Sequence, residues 1–198
     1  MKIHHPSEKT LVLIKPDGLM RGLAGEIIKR FEQRGLKIIA LKLQKPPLSH
    51  IRKHYRTDDK QLLAMGNRTI ETCKTYKVDV KKTMGTQDPG KIGKLVWQWN
   101  VDFLSSGPLV AMVVSGVNAV EVVRKIVGDT IPQNAAAGTI RGDFTVDSVI
   151  LANANKRAMR NIIHASGDKR EAQREITHWF RKGEIYSYTR ADEKLMFE

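Results

Sequence analysis

A histidine at the end of an apolar run is the residue in this sequence that most suggests chemistry. His164 lies in "RNIIHASGD", residues 160–168, where small and polar residues end a strand-like segment. On the helix expected next, Glu175 lies three residues after Ala172 and four before Trp179, along the apolar face. A carboxylate that faces inward needs a partner. If it bonds one ring nitrogen of His164, it fixes the tautomer and leaves the other nitrogen free to act. The alternative is a glutamate on the exposed flank of the helix and a histidine satisfied within the fold.

Three basic residues lie near the ends of apolar elements, where ligands tend to collect. Lys15 ends the first predicted strand, Arg124 lies on the helix after the third long strand, and Arg141 lies in the loop "GTIRGDF". Arginine binds phosphate through two parallel hydrogen bonds and lysine binds it as a point charge. Convergence of the three on His164 would suit a phosphate, but 34 basic residues make any chosen three weak evidence.

Two other patterns resemble binding motifs and are set aside. "GTQDPGKI", residues 85–92, comes close to a phosphate-binding loop, but Ile92 stands where a hydroxyl is needed for magnesium. His4-His5 and the pair His50 and His54 could bind a transition metal, yet no cysteine accompanies them. We expect the second pair to lie on a surface helix.

Composition narrows the class of protein. The chain has 198 residues, a net charge of +13 and one cysteine, so an intramolecular disulfide framework is excluded. No apolar run is long enough for a membrane helix, and the start of the chain lacks the apolar core of a signal peptide, so we expect a cytoplasmic protein. The excess of positive charge favours nucleic acid, anionic lipid or phosphorylated small molecules, or is simply a solvated basic surface.

The hydrophobic pattern predicts strands alternating with helices. Strands are expected at 10–14, 36–43 and 108–116, and helices at 25–34 and 168–181, the latter with Asp168 and Glu171 as a capping box. The pattern predicts an α/β sandwich with helices covering one face of the sheet, as either a split βαβ or a doubly wound arrangement. Three regions are expected to depart from this alternation of strands and helices. They are a polar, turn-rich insertion at 67–103, a long loop at 129–144, and a strand or hairpin at 145–156.

Five segments taken together closely resemble nucleoside diphosphate kinase. They are, in order, "TLVLIKPDGLMRGLAGEIIKRFEQRGLKI", "GPLVAMVVSGVNAVEVVRKIVGDT", "GTIRGDF", "RNIIHAS" and the tail from Trp179 to Glu198. The resemblance implies a ferredoxin-like split βαβ sandwich, with a four-stranded antiparallel sheet covered by helices. It also implies one domain over residues 1–198, with insertions at about 67–103 and 145–156.

The resemblance further implies an activity and a set of site residues. The family transfers the γ-phosphate of a nucleoside triphosphate such as ATP to a nucleoside diphosphate, by a ping-pong mechanism through a phosphohistidine that would form here on His164. Glu175 would orient the imidazole and Ser166 would hydrogen-bond beside it. The implied nucleotide-binding residues are Lys15, Tyr55, Leu63, Arg124, Thr130, Arg141 and Asn161. Mg²⁺ is the implied cofactor, with Asp168 as a contact through water.

Two departures from the family pattern stand inside these motifs. Leu63 occupies the position of an aromatic that stacks on the base, so we expect weaker stacking by about 1 kcal/mol. Gly167 is an extra residue before Asp168, which could displace that aspartate from the magnesium.

The resemblance also implies a homo-oligomer, most often a hexamer, with a tetramer or dimer as alternatives. A second hypothesis is a protein whose basic surface binds nucleic acid or serves regulation, alone or beside the kinase activity. The oriented imidazole favours the enzyme, because a protein that only binds has no need of one.

Overall fold

The computed structural model describes residues 7–197 and contains one sheet flanked by helices. The strands are β1 (Ser7–Ile14), β2 (Lys37–Gln44), β3 (Leu109–Val117) and β4 (Ile163–Ala165). The helices are α1 (Pro16–Met20), α2 (Ala24–Gln33), α3 (Leu48–His54), α4 (Asp59–Thr75), α5 (Val80–Met84), α6 (Pro89–Ser105), α7 (Ala119–Val127), α8 (Ile140–Phe144), α9 (Val149–Ala154), α10 (Lys169–Trp179) and α11 (Glu193–Phe197). Single 3₁₀ turns occur at Pro132–Asn134 and Lys182–Glu184.

The sheet has the strand order β2-β3-β1-β4, and every pair among the described strands is antiparallel. This confirms the ferredoxin-like split βαβ fold, and the doubly wound alternative is wrong because that fold needs parallel neighbours. β1 lies between β3 and β4, with Leu11 opposite Val113 on one side and Leu13 opposite His164 on the other. The central strand therefore fixes the position of the short edge strand that carries His164.

Helices cover both faces of the sheet, so the expectation of one covered face is wrong. Val12 and Ile14 pack with residues of α2 and α7 in one hydrophobic cluster. Leu11 and Leu13 pack in a second cluster with residues of α3, α6 and α10. Because alternate residues of a strand point to opposite faces, burial on both sides requires the unbroken apolar run that β1 shows.

Residues 59–105 fold into helices rather than the turn-rich segment expected. Asp58, Asp79 and Asp88 each accept a hydrogen bond from the backbone N–H three residues later, which starts α4, α5 and α6. α4 and α6 pack closely because glycines lie between them. A Cβ on Gly66 would lie 1.8 Å from the carbonyl oxygen of Pro89, and the corresponding position on Gly93 is equally crowded. The polar composition reflects exposed helix faces.

The segment from 139 to 154 also differs from the sequence interpretation. The expected loop contains α8, which the Thr139 hydroxyl caps by accepting from the N–H of Gly142 at 3.1 Å. The strand or hairpin expected at 145–156 is wrong, because α9 lies there and the Ser148 hydroxyl caps it. Six helical residues are too few for a periodic pattern to distinguish helix from strand. Among the described helices, none combines the length and apolar character needed to cross a membrane.

Candidate active site

His164 projects from the edge strand β4 toward α10. The backbone around His164 is paired with β1 in the sheet. α10 begins at Lys169 and is capped by Asp168, whose Oδ1 accepts from the N–H of Glu171 at 2.7 Å. The predicted capping box is half formed, because the Glu171 carboxylate accepts from the N–H of Gly167. The extra glycine thus ties the strand end to the first turn of α10.

The predicted pair of His164 and Glu175 is formed. Nε2 of His164 lies 2.9 Å from Oε2 of Glu175, and the Ser166 hydroxyl donates to the same oxygen at 2.7 Å. Because a carboxylate only accepts, the ring carries its proton on Nε2. Nδ1 is then the nitrogen that keeps a free lone pair.

Glu175 is held as a carboxylate although it is buried. Burial alone would raise its pKa, but the hydrogen bond and charge of His164, the Ser166 hydroxyl and the charge of Arg174 together lower the pKa below its ordinary value. The alternative of an exposed glutamate is wrong. An ionised Glu175 can stabilise positive charge that develops on the imidazole.

His54 is a buried neighbour of His164 that the sequence interpretation missed. It is 3% exposed rather than on a surface helix, and its ring packs edge-on against the His164 ring with centroids 4.7 Å apart. The indole N–H of Trp179 donates to its Nδ1 at 3.2 Å, and burial, then the charge of His164, lowers its pKa well below the ordinary value. Neutral His54 therefore packs beneath the pair. Its i+3 spacing from buried Ile51 was the available signal.

A chain of hydrogen bonds connects the end of β1 to the loop before α8. The Lys15 ammonium donates to Oδ1 of Asn161 at 2.7 Å, and Nδ2 of Asn161 donates to the carbonyl of Thr130 at 2.8 Å. Lys15 is buried, and desolvation together with the charge of Arg141 lowers its pKa to about 8 against the opposing charge of Asp17. An anion bound here would restore the favoured charged form.

The two predicted arginines have different surroundings. Arg141 is buried and donates to the carbonyls of Gly128 at 2.9 Å and Ile163 at 2.7 Å. It also makes a longer bond to the carbonyl of Asn161. Burial lowers its pKa to about 10, and two of its five N–H groups stay uncommitted among these bonds. Arg124 lies exposed on α7. One arginine is thus fixed by the backbone, and the other can move to meet a ligand.

The backbone before His164 is strained. Ile162 has a φ of +54°, which a β-branched residue rarely adopts, and the N–H of Ile163 donates to the carbonyl of Asn161 across it. Asp17 accepts from the N–H of Ile162, and Gly18 is required beneath it, since a Cβ there would lie 2.9 Å from the Ile162 carbonyl oxygen. Such strain is characteristic of functional sites, and α1 holds it in place.

These groups meet at a cavity of about 410 Å³, a size typical of small-molecule sites. One part of the lining, the charged wall, consists of Lys15, Arg124, Asp129, Thr130, Arg141, Arg157, Asn161 and His164. The other, the helical wall, consists of Met65, Thr69, Val96, Trp97, Asn100, Val149, Ala152 and Asn153 from α4, α6 and α9. Tyr55 also lines the cavity, and its carbonyl accepts from the Trp97 indole at 2.6 Å.

Not every predicted residue reaches this cavity. Leu63 is 46% exposed on α4 and is not part of the lining. Ser166 acts from behind, through Glu175. Asp168 borders a second cavity that shares Arg124, Gly128 and Asp129 with the first. Glu175 also lies outside the lining, behind His164. The lining does contain Lys15, Tyr55, Arg124, Thr130, Arg141, Asn161 and His164.

The residues present fit a magnesium ion that arrives bound to the nucleotide. They do not form a site in which protein side chains alone coordinate the ion. His54, His164 and Glu175 form the group of close ligating atoms found within residues 7–197. That group is rich in nitrogen and already hydrogen-bonded, whereas Mg²⁺ prefers oxygen and keeps several waters. Asp168 uses Oδ1 to cap α10, which leaves Oδ2 as its available oxygen.

Comparison with known proteins agrees with this geometry. The family model described as nucleoside diphosphate kinase matches residues 8–69 and 67–185. The nucleoside diphosphate kinase of Pyrobaculum aerophilum is 44% identical over 91% of this chain and 98% of its own. That of Borreliella burgdorferi is 37% identical over 94% of this chain and 95% of its own.

Solved structures show the same relationship. A crystal structure of an NDP kinase from Pyrobaculum aerophilum superposes with a TM-score of 0.88 at 42% identity, covering 92% of this chain and all of that one. A second structure is a transition-state mimic of the nucleoside-diphosphate kinase from Borrelia burgdorferi with bound vanadate and ADP. It superposes with a TM-score of 0.76 at 37% identity, covering 94% of this chain and 95% of that one. The chain therefore belongs to the nucleoside diphosphate kinase family, whose members are enzymes that transfer phosphate between nucleotides.

Proposed function

We propose that His164 carries the phosphate in the family's reaction, with Nδ1 as the nucleophile. The Nδ1 lone pair attacks the γ-phosphorus of a nucleoside triphosphate, and the bond from that phosphorus to the β–γ bridging oxygen breaks. The electron pair of that bond leaves with the nucleoside diphosphate. A second nucleoside diphosphate then attacks the phosphorus of the phosphohistidine and restores the free imidazole.

The hydrogen bond between His164 and Glu175 is the observation that carries this proposal. Phosphorylation of Nδ1 while Nε2 keeps its proton places a positive charge on the ring, and the Glu175 carboxylate 2.9 Å away is positioned to stabilise it. Ser166 fixes the carboxylate, so the ring orientation is set before substrate arrives. No proton has to move in either transfer.

The charged wall supplies the rest of the catalytic requirement. Phosphoryl transfer needs positioning and neutralisation of charge on the phosphate oxygens more than covalent assistance. Lys15, Arg124 and Arg141 bring three positive charges to the charged wall, opposed by the carboxylate of Asp129. Asn161 and Thr130 connect Lys15 to the loop before α8 and offer polar contacts for ribose and phosphate. Mg²⁺ bound to the nucleotide would neutralise further charge, with Asp168 in contact through water.

The test is intact mass after brief incubation with ATP and Mg²⁺, followed by addition of a nucleoside diphosphate. Wild type should gain one phosphate and lose it to the diphosphate, and His164→Ala should do neither. A wild-type chain that never gains phosphate, or a variant that still does, would contradict the proposal. Assembly as a hexamer, tetramer or dimer, and a cytoplasmic location, stay predictions from the sequence.

A further inference from the structure

Asn153 is a buried amide that lacks a protein partner. Its side chain is 4% exposed on α9, it lines the cavity, and its Nδ2 has no hydrogen-bond acceptor within the described part of the chain. Leaving a buried donor unsatisfied destabilises a folded protein, and native structures do so rarely. An orphaned amide that borders a substrate cavity therefore calls for a ligand acceptor.

The two walls of the cavity differ in charge, as the phosphates and the base of a nucleotide do. The charged wall matches the phosphates. The helical wall carries, among the described residues, hydroxyl, indole, amide and apolar groups but no charged side chain. Arg157, the charged lining residue that follows α9, is already paired with Asp147. A nucleobase is uncharged, with apolar faces and a polar edge. Charge complementarity thus directs the base toward the helical wall when the phosphates lie against Lys15 and His164.

α9 is held firmly relative to the catalytic strand. Asp147 accepts two hydrogen bonds from the Arg157 guanidinium, at 2.6 and 3.0 Å, and a third from the N–H of Arg160 at 2.7 Å. This closes residues 147–160 into a clamped segment that leads directly into Asn161, which bonds Lys15. An amide placed by such a clamp is preorganised for binding.

We infer that Asn153 hydrogen-bonds the edge of the nucleobase, as the polar contact of a base subsite built by α4, α6 and α9. The inference rests on the proposed function of the charged wall. A primary amide offers both a donor and an acceptor, and half a turn of its terminal torsion exchanges them. Asn153 can therefore serve bases with different edges, unlike a side chain restricted to one role.

The test compares acceptors with and without a base. Radiolabelled phosphoenzyme is mixed rapidly with ADP, GDP, CDP, UDP or ribose 5-diphosphate, and the second-order rate constant for loss of label is measured. Asn153→Leu should lower the constants for the four nucleoside diphosphates about 10-fold, the effect of one hydrogen bond. The constant for ribose 5-diphosphate should stay within 2-fold of the wild-type value.

The controls separate the possible failures. Asn67→Leu makes the same exchange at an exposed position of α4 outside the cavity and should match wild type. Asn153→Ala removes the amide without adding bulk and should reproduce the Leu pattern. An equal loss for ribose 5-diphosphate in both Asn153 variants would indicate a structural role and overturn the inference, as would no loss at all. A wild-type chain that forms no phosphoenzyme would instead refute the proposed function.

Discussion

The charged wall and the helical wall of the cavity are built in different ways. The charged wall is carried by the ends of β1 and β4, by the loops beside them and by the helices α7 and α8. Several of its side chains are fixed by hydrogen bonds, such as those of Arg141 to three carbonyls. The helical wall is carried by helices that pack on one another, and α4 and α6 approach through glycine contacts. The difference teaches that the charged groups are positioned mainly by hydrogen bonds around the ends of β1 and β4, whereas the helical wall depends on helix packing.

The largest effect should come from the carboxylate behind the charged wall. In Glu175→Gln the amide can donate to Nε2 of His164, which would move the ring proton to Nδ1 and remove the nucleophilic lone pair. We expect kcat to fall about 10⁴-fold, as when another catalytic histidine loses its tautomer-fixing carboxylate. Steady-state kinetics at saturating nucleotide measure it. A loss below 10-fold would show that Glu175 does not set the tautomer.

Lys15→Met should lower kcat/KM about 100-fold, because a hydrogen bond to a charged group contributes about 1.5–3 kcal/mol. Lys15 has a pKa of about 8, lowered first by desolvation and then by Arg141. The ammonium is charged below this pKa and neutral above it, so wild-type kcat/KM should fall as pH rises past 8. The variant should lack this dependence. If the variant shows the same alkaline fall, another group is responsible.

Gly66→Ala tests the packing of the helical wall. A Cβ at this position would collide with the Pro89 backbone, so α4 and α6 must separate. We expect the free energy of unfolding to fall by about 2–3 kcal/mol, measured by urea denaturation. The chemical step, measured as phosphoenzyme formation at saturating ATP, should change far less. Gly22→Ala is the control, because a Cβ at this position would meet no atom within 4 Å. Its positive φ adds only a small backbone strain.

Leu63→Ala should give the smallest effect. The side chain is half exposed and lies outside the cavity lining, so kcat/KM for each nucleoside diphosphate should stay within 2-fold of wild type. A selective loss of more than 5-fold for purine acceptors would favour the base-stacking role implied by the sequence resemblance. It would also mean that α4 moves when nucleotide binds.

The sequence predicts most of the charged wall but little of the helical wall. Continuous apolar runs predict β1 and β3, because such runs identify buried strands. The ends of apolar elements point to Lys15 and Arg141, and the family resemblance adds Asn161. α4 and α6 were missed as helices because their signals are aspartate caps and glycine contacts within a polar composition. The burial of His54 and the unpartnered amide of Asn153 depend on distant elements, which a local pattern does not contain.

The most direct test of the central claim is which imidazole nitrogen carries the phosphate. Phosphoenzyme prepared with ¹⁵N-labelled histidine and ATP can be examined by NMR through the coupling of phosphorus to the ring nitrogens. The hydrogen bond from Nε2 of His164 to Glu175 predicts phosphate on Nδ1 of that residue. Phosphate on Nε2, or on a residue other than His164, would contradict the account.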